Sequence, residues 1–233
     1  MKQLIGDANK IDETIIGKIV KGNGLYISKS NKILVTEDGS KSKGFAALIT
    51  SSSLNPNVKG IFNIDEISEL NYGDIVTLDR HGIINVVHEV NSLHNALFIT
   101  GRCNSRCVMC PQPPVKEEND RHTLNLKHID LLPRETISIG ITGGEPTLIG
   151  EKLFTIIKKI KTRLPKTKIN ILSNAIKFEN LDYVKGFIKA INKNTIIEIP
   201  LYSDIDEIHN EIVGSKTFYR TIKGIYNLAK FNV

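Results

Sequence analysis

All three cysteines of the chain, Cys103, Cys107 and Cys110, fall in one eight-residue run, Cys-Asn-Ser-Arg-Cys-Val-Met-Cys. The fold must therefore hold this run where three sulfurs can face a single group. A disulfide framework is a poor fit, because three is an odd number and nothing marks the chain as secreted. A four-iron four-sulfur cluster fits better: it has four iron corners to ligate, and three thiolates leave one iron open. Structural zinc is the competing reading. It needs a closed tetrahedral shell, so a fourth ligand such as His94 or His122 would have to join. A second Cys-x2-Cys knuckle would have favoured zinc, and there is none.

The 31 basic and 25 acidic residues give a formal charge of +6, modest for 233 residues. Lysines such as Lys152, Lys158, Lys159, Lys161, Lys166 and Lys168 are scattered, which suits the solvated faces of helices. No interleaving of arginines with aromatics points to nucleic acid, so no nucleic-acid partner is expected. The opening Met-Lys-Gln-Leu-Ile-Gly-Asp breaks into charge before an apolar signal core can form, and no apolar run is long enough to span a bilayer. The expectation is a cytoplasmic chain without a membrane partner, in a compartment that keeps thiols reduced and available for metal.

Residues 1–95 read as a small β-rich domain. Leu25–Ser28 and Lys32–Thr36 flank Lys29-Ser30-Asn31, with Asp38-Gly39 as a turn, and Asp79–Gly82 joins Asp74–Leu78 to Ile83–Val87 as a hairpin. His81 and His88 are read as loop-tip and strand residues rather than ligands. A peptide-binding or scaffolding role is the expectation for this region.

Residues 96–233 read as strands alternating with helices. The strands are Leu97–Thr100, Thr136–Thr142, Lys168–Ser173 and Thr195–Leu201, each short and apolar as in a parallel sheet covered by helices. Apolar stripes follow at helical spacing: Leu153, Phe154, Ile156, Ile157, Ile160 and Leu164; then Tyr183, Val184, Phe187, Ile188 and Ile191. The last is Phe218, Ile222, Ile225, Tyr226 and Ala229, with Ser215 or Thr217 as the cap. Four strand-helix units in order predict a right-handed, barrel-like α/β sheet whose chemistry gathers at the C-terminal strand ends. The cysteine run follows the first strand and Gly143-Gly144-Glu145-Pro146 follows the second, so both fall on one rim.

With those two motifs together, residues 96–233 resemble the core of the radical S-adenosylmethionine (radical SAM) superfamily. The resemblance implies a partial (β/α) barrel of six units, of which four are present, so a chain truncated before strands five and six is expected. It implies a [4Fe-4S] cluster on Cys103, Cys107 and Cys110, and S-adenosylmethionine bound to the open iron. It places Met109 near the adenine and backbone groups of Gly143, Gly144 and Glu145 at the methionyl amine. Ser173, beside Asn174, and Glu198 would lie near the cofactor, Glu198 at the ribose. Pro200 and Ser203 replace the family's usual serine and glycine, and His209 is read as a helix-entry residue.

The runs Asn104–Pro114 and Ile199–Asp204 are similar, more narrowly, to the maturase of the His-Xaa-Ser peptide system. That likeness implies a ribosomally made peptide substrate and an external electron donor. The alternatives are a radical SAM methylase or activating enzyme, and, from another class, a zinc-stabilised binding module.

Overall fold

The computed structural model describes residues 2–22, 26, 28–37, 43–116 and 120–233. The chain divides into two compact units, one running to Asn95 and including Asp130–Leu132, the other made of Ala96–Ile129 and Pro133–Val233. The readings that use Leu25 and Ile27 as strand and Asp38-Gly39 as a turn lie outside the described residues.

Among the described residues the first unit is a sheet of eight strands: β1 (Gln3–Ile5), β2 (Asp7–Asn9), β3 (Ile15–Lys21), β4 (Lys32–Val35), β5 (Ala47–Ile49), β6 (Gly60–Phe62), β7 (Ile75–Leu78) and β8 (Ile83–His88). Their lateral order is β1-β8-β7-β3-β4-β5-β6-β2. The expected hairpin is present as β7 against β8, antiparallel. Strands β1 and β2 stand at opposite ends of the order, yet only Gly6 separates them in the chain. The sheet is thus joined end to end by its own backbone, and a barrel results, with Ile19, Ile33, Ile49, Ile61, Val76 and Ile84 inside. His88, at the end of β8, is buried; burial and the nearby charge of Lys18 lower its pKa to about 4, so it is neutral.

The seam depends on two glycines. Gly6 donates its N–H to the Gly82 carbonyl at 3.0 Å, and a Cβ added at Gly82 would lie 1.8 Å from the Gly6 oxygen. Gly82 also sits at φ +79°, a conformation that costs any L side chain. Gly82→Ala is expected to destabilise the unit by about 2–4 kcal/mol, from the backbone term plus the overlap. Gly22, at φ +74° with nothing near its Cβ position, is the control: Gly22→Ala should cost only the backbone term, about 1 kcal/mol. Thermal denaturation of the two variants separates them.

The second unit runs β9 (Ala96–Phe98), α1 (His122–Leu131), β10 (Ser138–Thr142), α2 (Glu151–Arg163), β11 (Lys168–Leu172), α3 (Leu181–Ala190), β12 (Thr195–Glu198), α4 (Asp206–Val213) and α5 (Phe218–Ala229). The four strands form one parallel sheet in the order β9-β10-β11-β12. Leu97, Ile141, Ile171 and Ile197 share a row across it. Each observed strand is shorter than its apolar run; β12, for instance, stops at Glu198, because Pro200 has no N–H to give a ladder.

The stripes expected on α2 and α3 are the buried ones, with Leu153, Phe154, Ile156, Ile157 and Ile160 on one helix and Val184 and Phe187 on the other. The last stripe is corrected. On α5 the buried residues are Thr221, Gly224, Asn227 and Leu228, while Tyr226 and Ala229 are exposed. The reason is polar packing on the 174–179 turn. Asn227 Nδ2 donates to the Phe178 and Glu179 carbonyls, Thr221 Oγ1 donates to the Asn174 carbonyl, and a Cβ on Gly224 would meet the Ala175 oxygen at 2.2 Å. Thr217 is the N-cap residue of α5, one of the two expected, but its side chain makes no capping bond. Asn210 Oδ1 accepts the N–H groups of Thr217 and Phe218, at 2.8 and 3.0 Å.

Candidate functional site

Because β9 to β12 are parallel, their C-terminal ends lie along one rim, and four loops leave from it. The first carries Cys103, Cys107 and Cys110, none in a disulfide and all partly exposed. The loop is held by backbone from three directions. Arg106 N–H and Val108 N–H donate to the Val213 and Ile212 carbonyls at the end of α4, and Cys110 N–H closes a turn onto the Cys107 carbonyl. On the β10 side, Gly144 N–H reaches the Thr100 carbonyl at 2.6 Å and Glu145 N–H reaches the Arg102 carbonyl at 2.8 Å.

These contacts give the glycines a role beyond ligand access. A Cβ on Gly143 would lie 2.4 Å from the Thr100 oxygen, and one on Gly144 would lie 2.2 Å from the Arg102 oxygen. The bare backbone lets the strand leading into the cysteines pass against the end of β10. Gly214 does the same from α4, where a Cβ would fall 2.6 Å from the Arg106 oxygen. The sequence pointed to the first two glycines. The third ends a helix more than 100 residues from the loop, and only its positive φ after Val213 marks it.

Glu145 is 1% exposed, and its carboxylate is fully engaged. Oε1 accepts from Thr147 N–H at 3.0 Å, Thr147 Oγ1 at 2.6 Å and Ser173 Oγ at 2.9 Å; Oε2 accepts from Asn174 N–H at 2.7 Å. Burial raises its pKa, against the opposing pull of those donors. The structure therefore brings Glu145 and Ser173 together, but as partners of each other that lock the ends of β10 and β11. Asn174 extends the lock to the cysteine loop through Nδ2 to Asn104 Oδ1 at 2.7 Å. Met109, 48% exposed, and Glu198, also exposed, keep their side chains open to a ligand.

The fourth loop, after β12, brings Tyr202. Its backbone N–H donates to the buried His209 Nδ1 at 3.4 Å, and the His209 ring packs against Phe218 at 5.5 Å. Burial, and then the charges of Cys107 and Cys110, raise the pKa of the Tyr202 phenol. Sequence reading named His209 as a helix-entry residue. Its burial beneath Tyr202, seating the rim, came only with the structure.

The donor set fits an iron-sulfur cluster. Burial, then neighbouring Glu145 and Cys107, raise the Cys103 thiol, and burial followed by Cys110 raises Cys107. Iron is ligated by thiolates, so a bound cluster would displace the protons these thiols hold. Among the described residues no three His, Cys, Asp or Glu side chains converge as one metal ion requires. Ligands of a cluster attach to separate irons.

Comparison with known proteins decides the family. The Radical SAM superfamily model matches residues 97–233. This chain belongs to that superfamily. A [4Fe-4S] cluster and S-adenosylmethionine are accordingly its cofactors. The radical SAM chain is 30% identical over 104 residues to GTP 3',8-cyclase of Desulforamulus reducens, covering 41% of this chain and 32% of that one. It is 29% identical over 167 residues to GTP 3',8-cyclase of Clostridium acetobutylicum, covering 67% and 47%. It thus spans less than half the length of these curated relatives. Among solved structures, anSMEcpe with bound AdoMet aligns at TM-score 0.45 and 19% identity, covering 59% of this chain and 40% of that one. The form with bound AdoMet and Cp18Cys peptide aligns at 0.44 and 17% over the same shares. Among the described residues no helix is long and apolar enough to cross a membrane.

Proposed function

We propose that this radical SAM chain modifies a ribosomally made peptide of His-Xaa-Ser type, with residues 96–233 as the first four units of a partial barrel. The observation that carries the reading is that the loop of Cys103, Cys107 and Cys110 and the Gly143–Glu145 turn leave neighbouring strand ends and are bonded backbone to backbone where the cysteine loop begins. In this reading the three thiolates hold the cluster, and the backbone of Gly143, Gly144 and Glu145 meets the methionyl end of S-adenosylmethionine. Met109 and Glu198 contact its adenosyl end. Glu145 and Ser173 act by position, through the bonds that lock the two strand ends. When bound, the cofactor pair supplies one-electron, hydrogen-abstracting chemistry, with electrons from an external donor.

Support for a peptide substrate comes from the likeness of Asn104–Pro114 and Ile199–Asp204 to the His-Xaa-Ser maturase. An apolar lip at the rim adds to it. Val108 is 77% exposed, and Met109, Leu201, Tyr202 and Ile208 are exposed as well. Ile208 lies one helical turn before Ile212, whose carbonyl holds Val108 N–H. Such a lip suits extended peptide better than a polyphosphate. The GTP 3',8-cyclase relatives favour a second reading, in which the substrate is a nucleotide.

The test is anaerobic purification, then electron paramagnetic resonance of the reduced protein with and without S-adenosylmethionine. A second arm uses mass spectrometry after incubation with a synthetic His-Xaa-Ser peptide or with GTP. A signal that changes with the cofactor, and a peptide mass that changes while GTP does not, is the expected result. Turnover of GTP alone transfers the assignment to the second reading. Stoichiometric zinc without iron overturns both.

A further inference from the structure

The parallel sheet of the second unit has two unlike faces. Along β10 and β11 alternate residues, Ile139, Ile141, Ile169 and Ile171, are buried, and the side chains between them point the other way. On that other face Ala96, Gly140, Asn170 and Ile196 stand in one row across the four strands. Leu172 and Glu198, paired with each other, stand in the next row toward the rim, about 6–7 Å further along. Ile196, Leu172 and Glu198 are all exposed, so this face lies open along β11 and β12.

Asn170 is out of place in such a strand. Asparagine is poorly suited to β structure, and a strand flanked on both sides in a parallel sheet is ordinarily apolar. Its row partners, Gly140 and Ile196, bring no polar side-chain atom to meet it. Among the described residues nothing bonds its Oδ1, although that atom is out of solvent's reach. A buried amide oxygen is ordinarily satisfied, so one left unmatched beside an open face marks where a donor from outside the chain belongs. The residue as a whole is only half-buried, and χ2 of asparagine is broad, so a rotation of the amide turns the oxygen to that face.

We infer that Asn170 binds the backbone of the substrate peptide, its amide pairing edge to edge with one peptide group. Oδ1 accepts a peptide N–H and Nδ2 donates to a peptide carbonyl. Gly140 and Ala96 add little bulk beside it, so a chain can pass close over the sheet. Ile196 and Leu172 give apolar contact to the side chains that flank the bonded group. The pairing reads backbone rather than sequence, and it holds an extended segment one row below Glu198, on the way to the rim. The inference rests on the peptide reading above and adds to it a residue that neither the cysteine run nor the glycine turn would indicate.

The test uses Asn170→Val and Asn170→Ala in the intact, cluster-loaded protein, with two readouts. The first needs no substrate. A side chain kept for a ligand gives up no native bond when replaced, so the thermal midpoint of at least one variant should match or exceed that of the wild type. A fall of more than about 4 °C in both makes Asn170 structural and overturns the inference. The second readout is saturation-transfer nuclear magnetic resonance with a synthetic His-Xaa-Ser peptide in the presence of S-adenosylmethionine. The wild type should bind the peptide saturably and the folded variants about tenfold or more weakly, with the affinity for S-adenosylmethionine unchanged. A matching loss of S-adenosylmethionine affinity places Asn170 at the cofactor and overturns the inference. Equal peptide binding by wild type and variants overturns it alone, leaving peptide modification in place. A wild type that neither binds the peptide nor changes its mass shows that the peptide reading itself has failed, and this inference with it.

Discussion

Single replacement of Cys103, Cys107 or Cys110 by alanine is expected to abolish S-adenosylmethionine cleavage while leaving the cluster-free chain folded. Removing a direct iron ligand should cost more than the roughly 10–100-fold typical of groups one shell further out, so activity should fall to background. The thiols are only partly buried, and most bonds that hold the loop are made by main chain, the thiols adding Ser105 N–H to Cys103 Sγ at 3.4 Å and Cys110 Sγ to the Gln112 carbonyl at 2.9 Å. The stability of the cluster-free protein should therefore move by no more than about 0.5 kcal/mol. Iron content, cleavage product and thermal midpoint, taken together, check the claim. Normal cleavage by a triple variant would remove the cysteines from the chemistry altogether.

Glu145→Ala should have the largest effect on stability. It strips acceptors from two backbone N–H groups, those of Thr147 and Asn174, and from the hydroxyls of Thr147 and Ser173. Each buried backbone donor left unpaired costs about 1–3 kcal/mol. The expected loss is about 2–6 kcal/mol, a large share of what a domain of this size has. Glu145→Gln keeps an oxygen for the first three donors and turns its amide against Asn174 N–H, so its loss should be about 1–3 kcal/mol.

The pH profile separates the charge of Glu145 from its shape. Its folded pKa is raised by burial, so the native state holds this proton after the unfolded chain has released it. The associated stability is fully present below the unfolded carboxylate pKa and is lost as pH rises through the folded one. Urea denaturation across that window should show the decline in the wild type and not in Glu145→Gln. Equal slopes would mean that the carboxylate is ionised throughout.

Much of the rim could be read from the sequence because it is punctuated locally. Cysteines, paired glycines and a proline mark where strands end, and parallel order then gathers their loops. What was missed rests on contacts between distant residues or on polar burial. Helix α1 carries Asn125 and His128 on its buried side, and its apolar positions do not form a stripe. The buried face of α5 departs from its apolar stripe because Thr221, Gly224 and Asn227 bury against backbone carbonyls, which no apolar periodicity records. The four donors around Glu145 include two, Ser173 and Asn174, that lie nearly thirty residues away. Closure of the barrel depends on β1, only three residues long, finding β8 across some eighty residues.

That closure has a bearing on how the protein survives outside its folded state. A sheet open at both ends offers two rows of unpaired backbone groups to any passing strand. Here the stretch from Gln3 to Asn9 fills both rows at once, β1 lying on β8 and β2 on β6. Seven residues near the amino terminus therefore act as a clasp against self-association, and unfastening them at either seam would expose adhesive strand to neighbouring copies while most of the barrel was still folded.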